Sequence, residues 1–155
     1  MTSPLSITKI ISGGQTGVDR GALDAALALE FNCGGQCPKG RLAEDGPIDP
    51  KYPLDESASS RYQDRTEQNV IDSDATLIIS GGRIEGGTRL TMELALKHDK
   101  PCLITDLRRP TPIKQLASEL AALKIEILNI AGPRESKQPG VARQAQILIT
   151  DLLQS

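Results

Sequence analysis

The chain has 155 residues, of which 38% are hydrophobic and only 2% aromatic, with no tryptophan. This length fits one domain around a single core, so the core must be built from Leu, Ile, Val and Ala. The net charge is −2, with acidic and basic residues interspersed, which excludes a global field that would attract nucleic acid or an anionic membrane. We therefore expect residues 1–155 to form one domain in which any anion-binding site is local.

The amino terminus and the cysteines indicate the compartment. The first residues, MTSPLSITK, lack a charged leader followed by an apolar stretch, and no run reaches the roughly 18 apolar residues of a membrane span. Cys33, Cys37 and Cys102 are an odd number for a disulfide framework and agree with a reducing compartment. Cys33 and Cys37 have no nearby histidine, which favours buried or incidental thiols over a metal site. We expect a cytoplasmic protein with no membrane partner and no metal ligands.

Apolar runs alternate with longer amphipathic segments, a pattern that predicts β-α-β units around a parallel sheet. The predicted strands cover 7–12, 32–35, 75–80, 101–105 and 126–130. The predicted helices cover 17–30, 66–72, 88–98, 113–123 and 140–154. Strands 75–80 and 101–105 are almost wholly apolar, as expected when helices cover both faces of a sheet. The predicted fold class is therefore α/β, with a mostly parallel sheet and helices on both faces.

The segment from 38 to 65 interrupts this alternation with prolines and charges of both signs. It is too long to be an idle connection, so it is either a disordered insertion or a functional loop. The anchoring groups of Tyr52-Pro53-Leu54 favour an ordered functional loop. Lys39 and Arg65 lie near its two ends and are the preferred basic candidates for contact with an anion.

The letters IISGG occur twice, and each copy ends a predicted strand. After the first copy, Thr16 is predicted to cap a helix that carries Asp19 in its first turn. The turn from Gly13 to Gly17, which also contains Gly14 and Gln15, would present unpaired backbone N–H groups to a ligand. Neither G-x-x-x-x-G-K-[ST] nor G-x-G-x-x-G matches this turn. By itself it leaves anion binding and plain turn chemistry equally open.

The second copy also leads into a glycine-rich turn, where Gly86 and Gly87 precede Thr88, a further predicted helix cap. The carboxyl ends of parallel strands meet at one edge of a sheet, so both loops should lie there. We predict that strands 7–12 and 75–80 are adjacent, which would place the two loops on either side of one crevice.

Charged side chains near these turns could supply ligand contacts. The cationic candidates for a phosphate or oxyanion are Arg20, Lys39, Arg41, Arg65, Arg83 and Arg89. The candidates for accepting hydrogen bonds from ligand amino or hydroxyl groups are Asp19, Glu44, Asp45 and Asp74. For most of these residues a solvated surface charge is the favoured interpretation, and Lys39 and Arg65 are the best exceptions.

Five segments, in order, resemble the putative molybdenum cofactor carrier family: SGGQTGVDRGALDAAL, GGQCPKGRLAEDGPI, YPL, RTEQNVIDSDATLI and GGTRLTMELA. They span roughly residues 7 to 105. The resemblance implies a Rossmann-like, doubly wound fold and a homo-oligomer, a tetramer. It also implies that the protein binds the molybdenum cofactor as cargo, with its terminal phosphate in an anion-binding crevice and recipient molybdoenzymes as partners. The matching candidate binding residues are Gly13, Gly14, Gln15, Thr16, Lys39, Arg41, Gly86, Gly87 and Thr88.

Gly17 and Arg65 join this candidate set from the loop arguments above. Gln36 departs from the family pattern, because a tryptophan is expected in that stretch as a stacking partner for a pterin.

The wider group to which that family belongs also contains phosphoribohydrolases, which resemble P-G-G-x-G-T-x-x-E and use its Glu. In this chain the step from Thr88 lands on Thr91, and Glu93 comes two positions too late. Two residues turn a helical side chain by about 200°, so the required carboxylate is missing from its place. We predict that the protein binds, protects and transfers the cofactor and has no catalytic residues. A nucleoside-monophosphate phosphoribohydrolase and a nucleotide-sensing module are the alternatives.

Overall fold

A parallel five-stranded sheet forms the centre of the computed structural model, which describes residues 5–155. Residues 1–4 lie outside that range. The predicted single domain and the predicted absence of a charged leader both include these four residues. The strands are β1 (Lys9–Ile11), β2 (Cys33–Gly34), β3 (Gln36–Cys37), β4 (Leu42–Ala43), β5 (Gly46–Pro47), β6 (Asp55–Glu56), β7 (Ala75–Ser80), β8 (Cys102–Asp106) and β9 (Ile127–Ala131). The helices are α1 (Val18–Ala28), α2 (Tyr62–Asp72), α3 (Gly86–Lys97), α4 (Ile113–Leu123) and α5 (Val141–Leu153).

The central sheet has the order β2-β1-β9-β7-β8, and every pairing in it is parallel. This arrangement confirms the predicted Rossmann-like α/β fold. Strand β7 and helix α4 have the predicted bounds, whereas α2 begins at Tyr62, four residues before its predicted start. Arg65 therefore belongs to the first turns of α2 and not to the preceding loop. Within residues 5–155, no helix combines the length and apolar character needed to cross a membrane.

Strand β7 lies inside the core. All six of its residues are buried, and Leu77, Ile78 and Ile79 are 0% exposed. Successive side chains of a strand point to opposite faces, so a run that is apolar at consecutive positions requires cover on both faces. Burial of each such side chain contributes roughly 1.5–3 kcal/mol.

The predicted adjacency of strands 7–12 and 75–80, which are β1 and β7, is wrong. Strand β9 lies between them and pairs with both: Leu128 lies opposite Ile10 of β1, and Ile130 lies opposite Leu77 of β7. The reason is the packing of α5 on α1, where a side chain at Gly21 would overlap the carbonyl oxygen of Ala142. This close approach keeps α5 next to α1. Strand β9 leads into α5 and is therefore placed beside β1.

Both predicted threonine caps are also wrong. Gly17, with φ of 81°, occupies the position before α1, and no side chain caps that helix. The Thr16 hydroxyl donates instead to the Glu44 carboxylate. Helix α3 begins at Gly86, so Thr88 lies inside its first turn. Glu85, in an extended conformation, occupies the cap position instead, and the helix starts two residues earlier than predicted.

The segment from 38 to 65 is packed onto the rest of the fold. Its strands β4 and β5 form an antiparallel hairpin, and β3 pairs with β6. Ile48, Tyr52 and Leu54 are buried in the main core. The Leu54 side chain fills the space where a side chain at Gly14 would stand. The segment thus covers the first glycine turn from outside the sheet.

Candidate functional site

A crevice of about 560 Å³ opens at the carboxyl edge of the sheet, within the size range of small-molecule sites. We call it the sheet-edge crevice. Three loops surround it, after β1, after β7 and after β9, together with the first turns of α2 and α3. Its lining includes Gly13, Gln15, Asp19, Tyr62, Arg65, Gly81, Arg83, Glu85, Gly87, Thr88, Arg134, Lys137 and Gln138.

The two glycine loops therefore face one cavity although their strands are not adjacent. The third loop, from 132 to 140, bridges the gap that β9 creates. At one end Glu135 accepts hydrogen bonds from the backbone N–H groups of Gly140 (2.6 Å) and Ala142 (3.0 Å), at the start of α5. In the middle, Gln138 accepts from the backbone N–H of Gly81 at 3.1 Å. This third loop was not among the predicted ligand-binding loops, although its position after a predicted strand was the available signal.

The crevice brings together five of the eleven predicted binding residues: Gly13, Gln15, Arg65, Gly87 and Thr88. Gly86 lies beside it, with Lys137 Nζ 3.2 Å from the point that a side-chain carbon there would occupy.

The other predicted residues have different surroundings. Gly14 is buried under Leu54, and its carbonyl accepts from Arg20 at 3.1 Å. Thr16 and Gly17 line a shallow surface on the outer side of the third loop. Lys39 is exposed away from the crevice lining.

Arg41 is engaged inside the 38–65 segment. Its guanidinium donates to three backbone carbonyls, those of Leu54 (3.0 Å), Asp49 (3.0 Å) and Tyr52 (3.1 Å). These three hydrogen bonds hold the Arg41 guanidinium inside the segment, and Arg41 is not part of the crevice lining.

An ion pair forms one end of the crevice. Arg65 Nη1 lies 3.3 Å from Asp19 Oδ2, and the two side chains are only 12% and 9% exposed. The guanidinium rests on Gly13, where any side chain would overlap it. Burial raises the pKa of the Asp19 carboxyl, and the attraction of Arg65 opposes that rise. Arg65 Nε is buried and, within residues 5–155, has no hydrogen-bond partner.

The lining is more positive than the protein as a whole. Four cationic side chains face two carboxylates, an excess of two positive charges, in a chain whose net charge is −2. Arg65 pairs with Asp19, and Arg134 Nε lies 3.3 Å from Glu44. Across residues 5–155, neither Arg83 nor Lys137 has a carboxylate within ion-pair distance. The uncompensated charge is therefore contributed by the second and third loops.

Lys137 and helix α3 concentrate this positive charge. Lys137 Nζ lies close to Gly86, the first residue of α3, and Gly87 and Thr88 of the same turn line the crevice. The first N–H groups of a helix have no partner within the helix, and the helix dipole adds positive potential there. An ammonium group and a helix N-terminus at one place suit a phosphate.

An exposed aromatic ring lies beside the ion pair. Tyr62 lines the crevice and is 52% exposed, and the Arg65 guanidinium carbon lies 5.6 Å from its ring centre. Gln36, at the position where a tryptophan was expected, lies outside the lining, and its backbone pairs with the Asn69 side chain at 2.8 and 3.0 Å. Tyr62 is the aromatic side chain that the crevice offers to a planar ligand.

Residues 10–153 match the circularly permutated YpsA SLOG family. The chain belongs to this family. It is 47% identical to a putative molybdenum carrier protein from Syntrophus aciditrophicus SB, known from a crystal structure, with a TM-score of 0.91 over 97% of each chain. No curated protein matches the sequence. The family match and this likeness confirm the resemblance to putative molybdenum carriers.

In this SLOG-family chain Glu93, the glutamate nearest the hydrolase motif, does not line the crevice. It pairs with Arg89 at 3.1 Å on the exposed face of α3. Thr91, at the motif position, is buried and donates to the Gly87 carbonyl at 3.0 Å.

Within residues 5–155, no three His, Cys, Asp or Glu side chains cluster as metal ligands. Burial raises the pKa of the Cys33 and Cys37 thiols.

Proposed function

We propose that this protein binds the molybdenum cofactor in the sheet-edge crevice, protects it and transfers it to recipient molybdoenzymes. The cofactor is cargo, a small anionic ligand with a pterin and a terminal phosphate. The crevice has the volume for such a ligand, and the 47% identical relative carries the name of a putative molybdenum carrier.

The observation that carries the proposal is the position of Lys137 at the N-terminus of α3. The ammonium group and the N–H groups of that turn together favour a doubly charged phosphate more than either would alone. Lys137 has no carboxylate partner within residues 5–155, so its charge is available to a ligand. Gly86 and Gly87 leave the backbone open to close approach.

Carriage accounts for the crevice better than phosphoribohydrolysis. Hydrolysis of a glycosidic bond needs a carboxylate at the reacting sugar. Helix α3 contributes no carboxylate to the lining, because Glu93 lies on its exposed face with Arg89. The two carboxylates of the lining, Asp19 and Glu85, are not at the position of the hydrolase motif, and we assign no catalytic residue to this protein.

The proposal also includes the compartment of the protein, its number of subunits and the route of cargo transfer. We propose that the protein works in the cytoplasm as a homo-oligomer, a tetramer, and that it hands its cargo directly to the recipient enzyme. Light scattering of the purified protein measures the subunit number, and a monomer would contradict this part.

The proposed function is tested by anaerobic cofactor retention and transfer. The protein is mixed with cofactor released from a molybdoenzyme, and reactivation of an apo molybdoenzyme is followed over time. We expect the protein to lengthen cofactor lifetime relative to an inert protein of equal size. Lys137→Ala should lose most of this effect, because a charge-assisted hydrogen bond contributes about 1.5–3 kcal/mol.

Lys114→Ala is the matched control, since Lys114 is exposed on α4 and lies outside the lining. Equal lifetimes with the protein and with the inert protein would refute carriage. Equal losses in the two lysine variants would refute the assignment of the phosphate to α3.

A further inference from the structure

We propose that Asp19, Arg65 and Tyr62 form a ring-recognition end of the sheet-edge crevice, selective for one heterocycle edge. That edge presents a carbonyl oxygen, a ring N–H and an exocyclic amino group side by side, as pterins and guanine do. The inference rests on the proposed function only in assuming that the phosphate binds at the other end, near Lys137.

The Asp19 carboxylate supplies the acceptor. It lines the crevice and accepts two long hydrogen bonds, 3.3 Å from Arg65 Nη1 and 3.4 Å from the backbone N–H of Gln15, both to Oδ2. The backbone of Gly13 also stabilises the charged form. A carboxylate can accept about four hydrogen bonds. Asp19 therefore retains capacity for two adjacent N–H donors of a ligand ring, an arrangement that adenine, which lacks the ring N–H, does not offer.

Arg65 supplies the complementary donor. Its guanidinium carries five N–H donors, and within residues 5–155 it makes one hydrogen bond, to Asp19. The buried Nε–H without an acceptor costs free energy in the free protein, so an acceptor oxygen at this guanidinium would be favourable. A ring carbonyl next to the two N–H donors places an acceptor beside the Asp19 contacts.

Tyr62 supplies a surface for the face of the ring. It is half-exposed at the crevice and lies next to Arg65. Stacking of a base on an aromatic side chain contributes about 1–3 kcal/mol and does not depend on the identity of the base. Tyr62 would therefore add affinity for any planar ring, and Asp19 with Arg65 would provide the selection.

The two ends of the crevice differ in charge. Arg65 is neutralised by Asp19, whereas Lys137 and Arg83 have no carboxylate partner within residues 5–155. A phosphate is attracted to the uncompensated cations and repelled by the Asp19 carboxylate. A neutral ring with N–H donors and an acceptor oxygen suits the end of the crevice that holds the Asp19–Arg65 ion pair. The ligand should thus bind with one orientation.

The inference is tested with four probes: guanosine, inosine and adenosine monophosphates, and ribose 5-phosphate. Affinities are measured by titration calorimetry on the full chain. We expect guanosine monophosphate to bind about 10- to 100-fold more tightly than adenosine monophosphate. Inosine monophosphate, which lacks the amino group, should lie between them. Ribose 5-phosphate should bind weakest.

Two variants distinguish recognition from a structural role. Asp19→Asn should abolish the preference for guanosine over adenosine monophosphate and leave ribose 5-phosphate unchanged. Tyr62→Ala, at a half-exposed site where folding is not at risk, should weaken both nucleotides equally, while Tyr62→Phe should keep their affinities. Asp64→Asn, the same charge change on an exposed residue outside the lining, is the control.

Equal affinities of the three nucleotides in the natural protein would overturn the inference. So would an equal loss of all four probes in Asp19→Asn, because a residue that selects the ring would leave ribose 5-phosphate unchanged. The outcome is separable from that of the proposed function. Cofactor retention without guanine preference refutes this inference alone, and guanine preference without cofactor retention refutes the proposed cargo alone.

Discussion

Ser136 binds the Glu44 carboxylate twice: its hydroxyl donates to Oε2 at 2.6 Å and its backbone N–H to Oε1 at 3.1 Å. This pair joins the 38–65 segment to the third loop of the crevice. Arg134, two residues before Ser136, adds an ion pair to the same carboxylate at 3.3 Å. The part of the segment that precedes α2 contributes no residue to the lining and therefore acts on the crevice indirectly, by holding the loop that carries Lys137.

Replacement of Glu44 by Gln should loosen the third loop. An amide has one acceptor oxygen where the carboxylate has two, and its N–H₂ group would face the donors of Ser136 or Thr16. We expect faster hydrogen exchange at the amides of 134–138 and weaker phosphate binding, with a folded core. Glu126→Gln is the control, because the Glu126 side chain is exposed and makes no hydrogen bond within residues 5–155. Unchanged exchange at 134–138 would show that Glu44 does not hold the loop.

Asp74 should make stability depend on pH. Its Oδ2 accepts from the backbone N–H groups of Glu126 and Ile127 at 2.9 Å each, which lowers the pKa of the carboxyl. A lowered folded-state pKa adds stability above the ordinary value of 3.8 that is lost as the pH falls through the lowered value. At pH 7, Asp74→Ala should cost about 1 kcal/mol, since the group is largely exposed.

Thermal unfolding at pH 7 should then show a fall of about 2–4 °C. This difference should shrink in acid below the ordinary carboxyl pKa. Asp72→Ala removes an exposed carboxylate that, within residues 5–155, is bonded only to Gln68, and it should change the melting temperature less. A difference that grows in acid would contradict the assignment.

The elements of the fold were predictable, whereas their order in the sheet was not. Runs such as Leu77-Ile78-Ile79 define a strand by local pattern alone. The place of β9 between β1 and β7 depends on long-range packing, in which the missing side chain of Gly21 admits the backbone of Ala142. An isolated glycine in a helical pattern does not show which helix approaches it.

The candidate site was predictable where glycines marked it. Gly13 and Gly87 line the crevice as expected. Lys137 was missed because the third loop lacks the Gly-Gly pair that marks the other two loops. Tyr62 was missed because the start of α2 was predicted too late. Arg41 was selected from motif and charge, yet three backbone carbonyls occupy it, a fact that only the folded segment reveals.

Gly17 should not tolerate a side chain. Its φ of 81° is a conformation that costs L-residues about 1–2 kcal/mol, and a side-chain carbon would overlap the Pro133 carbonyl, which cannot easily move. We expect Gly17→Ala to lower stability by at least about 2 kcal/mol, seen as a fall of about 4–8 °C on heating. Gly82→Ala, with no atom within 4 Å of the new carbon, should be nearly neutral. A small loss of stability in Gly17→Ala would mean that the third loop moves to make room for the new side chain.

Gly13 should be critical for binding but not for stability. A side chain there would overlap the Arg65 guanidinium, the far end of a flexible side chain, and lie 3.1 Å from Asp19 Oδ2. In Gly13→Ala the guanidinium can therefore swing away with little loss of stability, but the Arg65–Asp19 pair is broken. We expect a melting temperature within about 4 °C of the natural protein and a loss of the preference for guanosine over adenosine monophosphate. An altered Arg65 Nε–H signal in NMR would show the displacement directly. An unchanged preference with a displaced Arg65 would mean that Asp19 alone selects the ring.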